Sequence, residues 1–149
     1  MMKKVIPLLI AMTFLGCNET VQKPVDANIT PEKIVKNQFT SYDEAMKMAK
    51  TSKKSVFILF TTQYCGWCKK LKETTLKDPV VMKRLQDEFI FLNLDRDIDT
   101  YPSAFEIQGV PTVYILSPDE EMITKIDGYR EPEDYIKWFD YVKNSQDES

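Results

Sequence analysis

The sequence predicts an α/β domain, a central mixed β-sheet with helices on both faces. Three observations carry that prediction. Val56–Thr61 and Phe89–Leu94 are near-continuous apolar runs, the pattern of strands buried on both faces. Amphipathic stretches alternate with these runs along the chain. Thr112–Leu116 and Met122–Ile126 flank Ser117-Pro118-Asp119-Glu120, a turn signal that marks an antiparallel hairpin.

Taken in order, Ser41 can cap a helix over Tyr42–Lys50, with Ala45, Met46 and Ala49 on one face. The strand Val56–Thr61 follows, then a helix from about Cys65 to Thr74. Asp78-Pro79 combines a capping side chain with Pro at the first helical position and opens a helix to about Glu88. After the strand Phe89–Leu94, Pro102–Phe105 reads as a short helix. The hairpin comes next. Pro132–Val142 closes the fold as a helix with Tyr135, Ile136, Phe139 and Val142 turned inward. Parallel strands therefore come first and the antiparallel pair last. Residues 1–16 read as a leader, 17–36 as a polar tether containing Pro24 and Pro31, 37–144 as the folded domain and 145–149 as a polar tail.

Cys65-Gly66-Trp67-Cys68 stands where the first long strand gives way to a helix. The first sulfur then lies over the helix N-terminus, where unpaired N–H groups and the positive dipole end stabilise a thiolate. The second, one turn on, shares its helix face and can close a disulfide or resolve one. The pair is a candidate two-electron redox unit, with Cys65 as nucleophile and Cys68 as resolving thiol. Half of a zinc site is a second reading, but zinc needs four ligands. A purely structural disulfide is a third. Tyr64 and Trp67 flank the pair, either as exposed surface that binds a partner chain or as core filling. Lys69 and Lys70 either favour the Cys65 thiolate or simply face water.

The rest of the composition narrows the classes. At 149 residues there is room for one domain with a modest core. A net charge of −3 without a basic stripe gives no support to nucleic-acid binding. The absence of His removes His triads and His metal sites. The four glycines are scattered, so no phosphate-binding loop is present, and neither a metal nor another cofactor is expected. Asp95-Arg96-Asp97-Ile98-Asp99 with Glu106 in twelfth place imitates a calcium loop. Thr100 in sixth place, Pro102 in eighth and a preceding strand argue for a solvated loop instead.

The element order, C-x-x-C at the first strand-to-helix turn and Gly109-Val110-Pro111-Thr112 before the hairpin resemble the thioredoxin family over Phe39–Val142. Tyr64-Cys65-Gly66-Trp67-Cys68-Lys69-Lys70 followed by Asp78-Pro79-Val80-Val81 is similar to one branch, the C-terminal domain of the DsbD-type disulfide-reductase transporter and related small exported proteins. The resemblance implies a thioredoxin fold and a cis-proline at Pro111 facing the redox pair, with the Val110 backbone free to bind a substrate peptide. It implies that Gly128 leaves room near the site. It also exposes a departure. Many members carry a buried acid six residues before the first Cys and a Lys on the next strand; Leu59 and Phe91 stand at those places. An apolar surround raises the pKa of a buried thiol, so Cys68 would need another group or a water to take its proton.

Lys3 and Lys4 precede the apolar stretch Val5–Leu15, and Phe14-Leu15-Gly16-Cys17 resembles a bacterial lipobox. Phe14 and Leu15 depart from the commonest residues of that motif. Cleavage before Cys17 would leave it carrying lipid; an uncleaved anchor or a plain signal peptide are the alternatives. The stretch is short for a bilayer span, which takes about 20 residues. With Cys17 lipidated, Cys65 and Cys68 would be the only thiols, in a compartment where disulfides persist.

The expectation is a lipid-anchored extracytoplasmic thiol–disulfide oxidoreductase, on the periplasmic side in a Gram-negative cell. It would act as a monomer and reduce protein disulfides with electrons from a DsbD-like membrane donor. An oxidase or isomerase is the neighbouring reading. A redox-silent thioredoxin-like binding or chaperone module is the reading from a different class.

Overall fold

The computed structural model describes residues 34, 35 and 37–147. Their elements are β1 (Gln38–Phe39), α1 (Tyr42–Ser52), β2 (Ser55–Thr61), α2 (Gly66–Glu73), a 3-10 turn (Thr75–Lys77), α3 (Pro79–Glu88), β3 (Phe89–Asp95), β4 (Thr112–Leu116), β5 (Met122–Asp127) and α4 (Pro132–Asp147). The sheet order is β1-β3-β2-β4-β5. β1 and β2 pair with β3 in parallel, whereas β4 pairs antiparallel with both β2 and β5. The mixed sheet expected from the sequence is the one found, with a thioredoxin fold.

Every residue of β2 is buried, because β2 is central and both its faces are covered. Alternate side chains divide between two cores. Phe57, Leu59, Phe91, Val113 and Ile115 pack under α2, α3 and α4, against Leu71, Leu85, Tyr135 and Phe139. Val56, Ile58, Phe60, Leu92, Leu94 and Tyr114 pack against Ala45, Met46 and Ala49 of α1 and against the loop that carries Tyr101 and Phe105.

The caps are partly as expected. The Asp78 carboxylate accepts from the N–H groups of Val80 (2.9 Å) and Val81 (3.1 Å), with Pro79 opening α3. Ser41 occupies the N-cap of α1 and its carbonyl accepts from Ala45 N–H at 3.1 Å, but its hydroxyl makes no capping bond. Lys53 ends that helix in the left-handed region, at φ 55°.

Four boundaries differ from the sequence expectation. β1 is an added edge strand of two residues, paired with Phe91 and Leu92. Pro102–Phe105 is a turn closed by Phe105 N–H donating to Pro102 O at 3.2 Å, not a helix. Aromatic anchoring sets that loop: the Tyr101 ring lies 4.9 Å from Phe60 and the Phe105 ring 4.9 Å from Tyr114. α4 continues past Val142 to Asp147, so Ser145 to Asp147 form its last turn rather than a tail, and the Gln146 amide donates to the Ser55 hydroxyl. No Gly or Pro follows Val142 to stop it. At the other end, Val35 is buried and Ile34 N–H donates to Gln38 Oε1 at 2.9 Å, so packing begins before residue 37. The leader, Cys17 and most of the tether lie outside the described residues.

Candidate active site: a disulfide at an apolar groove

β2 delivers the chain to the site. Its last residue, Thr61, is followed by a turn in which Cys65 N–H donates to Thr62 O at 3.4 Å, and Cys65 then caps α2 with extended backbone. Its sulfur accepts from Cys68 N–H at 3.0 Å. Cys65 and Cys68 are joined by a disulfide, with Cα atoms 5.2 Å apart. Helical geometry makes the two sulfurs unequal. Cys65 at the helix mouth is partly exposed, while Cys68 turns inward with Leu71 and is 3% exposed. Only the first sulfur is open to a large partner.

Across from the pair, the Val110–Pro111 peptide bond is cis, and Val110 O lies 3.6 Å from Cys65 Sγ. In the disulfide this is a contact without a hydrogen; after reduction a Cys65 thiol can donate to that carbonyl. Val110 and Pro111 join Trp67, Gly128 and Tyr129 around an open groove of about 310 Å³. Gly128 has φ +79°, a conformation that favours glycine, and its N–H donates to Pro111 O at 2.8 Å. That bond fixes the end of β5 beside the proline.

Trp67 is 59% exposed and lines the groove, and Tyr64 is 94% exposed, so neither is core filling. Tyr64 stands apart from the groove lining. Lys69 takes the solvated role, paired with Glu73 at 3.9 Å. Lys70 does something the sequence did not suggest. Its ammonium lies 5.0 Å from the Trp67 ring centre and 4.3 Å from that of Tyr129. Tyr129 itself carries no motif; only its place directly after Gly128 pointed to the site.

Beneath α2 the position of the missing acid is filled. Leu59 is fully buried, in register with Asn93 on β3 and Val113 on β4. Phe91 lies two register pairs away, stacked on Phe57 at 5.5 Å. On this face Asn93 Oδ1 and the Tyr135 hydroxyl are buried without a hydrogen-bond partner among the described residues. Burial pushes the Tyr135 phenol well above its usual range, with the Arg130 charge opposing weakly.

In the acidic loop, Asp95 Oδ1 accepts from Asp97 N–H at 2.9 Å and Asp99 Oδ2 from Asp95 N–H at 2.6 Å. Among the described residues no group of three or more His, Cys, Asp or Glu is placed to hold a metal ion. Nor is any described helix long and apolar enough to cross a membrane.

Comparison with known proteins agrees with this geometry. A profile of the thioredoxin-like domain matches residues 42–143. A protein disulfide-isomerase from Zea mays is 31% identical over 96 residues, which is 64% of this chain but 18% of that protein. A thioredoxin from Thermus thermophilus superposes with a TM-score of 0.61 at 22% identity, covering 70% of this chain and 85% of the thioredoxin. The reduced C-terminal domain of DsbD from Neisseria meningitidis gives 0.56 at 22% identity, covering 66% and 90%. The chain thus belongs to the thioredoxin-like domain family, and it keeps the C-x-x-C disulfide by which thiol–disulfide oxidoreductases work.

Proposed function

We propose that this protein is a membrane-tethered, extracytoplasmic protein-disulfide reductase. The observation that carries the proposal is the setting of Cys65: one partly exposed sulfur, one N–H donor at 3.0 Å and a carbonyl oxygen at 3.6 Å. The N–H and the helix N-terminus favour a thiolate, and the carbonyl opposes it. A thiolate with this modest support does not strongly stabilise the reduced form, so the disulfide is retained and the dithiol is a good electron donor.

In the reductive direction the Cys65 thiolate attacks one sulfur of a substrate disulfide. That S–S bond breaks, the departing sulfur takes a proton, and Cys65 is left in a mixed disulfide. Cys68, once deprotonated, attacks the Cys65 sulfur and releases the second substrate thiol. The substrate gains two electrons and two protons, and the protein is left with its Cys65–Cys68 disulfide. A dithiol donor at the membrane restores the pair. Trp67, Val110 and Pro111 would hold the substrate chain, and Tyr64 would widen the contact surface. A lipid on Cys17 would keep a monomer near its donor.

Turnover of insulin disulfides with a dithiol donor tests the reading. Wild-type protein is expected to catalyse it and Cys65→Ser to be inactive. No turnover above the uncatalysed rate by the wild-type protein would instead support a redox-silent binding module, the reading that Leu59 in place of a buried acid favours, and full activity in Cys65→Ser would overturn the role given to Cys65. For the tether, Cys17→Ala should move the protein from the membrane to the soluble fraction.

A further inference from the structure

Disulfide exchange itself needs neither Lys70 nor Tyr129, yet the two are built together at the groove. Tyr129 lies 5.6 Å from the Trp67 ring, tilted by 41°. Its hydroxyl contacts Thr74 Oγ1 at 3.3 Å and donates to Glu131 Oε2 at 3.0 Å. Thr74 in turn donates to Lys70 O at 2.7 Å, tying the ring to the end of α2. Lys70 rests its ammonium on both rings. A lysine so seated has given up part of its rotamer freedom before anything binds, which lowers the ordering cost of a later contact. Its three N–H donors still call for a better acceptor than an aromatic face.

A second cation lies beside the groove. Arg130 Nη1 donates to Tyr129 O at 2.9 Å and lies 3.7 Å from the Cβ position that Gly128 lacks. The carboxylates nearby each have a partner: Asp127 is held by Thr112 and Lys125, Glu131 by the Tyr129 hydroxyl and Glu73 by Lys69. An apolar groove flanked by two cations complements an apolar segment carrying a carboxylate.

We infer that Lys70, seated on the Trp67–Tyr129 wall, is a specificity-determining residue: it selects substrate segments with an Asp or Glu within a few residues of the disulfide cysteine. The inference rests on the oxidoreductase reading above and names its substrate class. It also opposes the protein's overall charge. A net charge of −3 favours basic partners at long range, so a preference for acidic ones must be local.

Two synthetic peptide disulfides, identical except for Asp or Lys two residues from the cysteine, make the test. The full chain reduces each with dithiothreitol as the dithiol donor, the uncatalysed rate being subtracted. Wild type is expected to prefer the Asp peptide by about two- to fivefold in kcat/KM at low salt, with the ratio falling as salt rises. Lys70→Arg should keep the preference, Lys70→Met should remove it and Lys70→Glu should invert it. Equal kcat/KM in wild type, or an unchanged ratio in Lys70→Met, overturns the inference and leaves the oxidoreductase reading standing. Failure to turn over either peptide overturns both.

Discussion

The two faces of the sheet share their strands but not their chemistry. On the α1 face two tyrosines of the core end in bonded hydroxyls: Tyr114 donates to Glu106 O and Tyr101 to Arg96 O, each at 2.9 Å. On the face under α2 the Tyr135 hydroxyl and Asn93 Oδ1 are buried without partners among the described residues. One face is a finished support. The other keeps polar atoms in an apolar layer, on the side covered by the helix that carries Cys68. The contrast teaches that, among the described residues, the unpaired buried polar atoms lie on the α2 side of the sheet.

The largest expected effect lies in the redox pair itself. Cys68→Ser should leave the fold intact and trap a mixed disulfide on Cys65, visible by mass spectrometry and reversed by reductant. Next come acids placed on either face. Ile58→Asp buries a carboxylate between Leu92 and Tyr114, whereas Leu59→Asp places one beside the Asn93 amide, which can donate to it. Both should cost about 3 kcal/mol or more at neutral pH by urea unfolding, Ile58→Asp about 1–2 kcal/mol more than Leu59→Asp. Desolvation raises the new carboxyl's pKa above its unfolded value, so the deficit is smallest below about pH 4 and grows toward neutrality. Equal costs on the two faces would remove the contrast.

The smallest effects are the most discriminating. Tyr114→Phe should lose about 1 kcal/mol by breaking its bond to Glu106 O. Tyr135→Phe removes a buried hydroxyl with no partner among the described residues and should be neutral or stabilising by up to about 1 kcal/mol. The Tyr135 phenol is raised from an ordinary value of 10.0, so the unfolded chain loses that proton first. Stability should therefore fall above pH 10 by up to about 1.4 kcal/mol per unit from this group, a slope absent in Tyr135→Phe.

What was legible in the sequence was what local rules determine. The runs that became β2 and β3, the Asp78-Pro79 cap, the hairpin and the unequal cysteines each follow from a short stretch of chain. What escaped depends on residues far apart. β1 is two residues long and shows no period; only its pairing with β3 defines it. Pro102 imitates a helix start, but Phe60 and Tyr114 hold the Tyr101–Phe105 loop as a turn. α4 gains a partner 91 residues away, in Ser55. Tyr129 matters because the end of β5 lies beside α2, and Lys70 because that ring is there.

Redox titration of the Cys65–Cys68 couple against glutathione and dithiothreitol buffers tests the central claim most directly. A thiolate opposed by the Val110 carbonyl predicts a reducing couple, more negative than about −200 mV and toward the thioredoxin value of about −270 mV. A potential near about −120 mV, that of a strong oxidase, would contradict it.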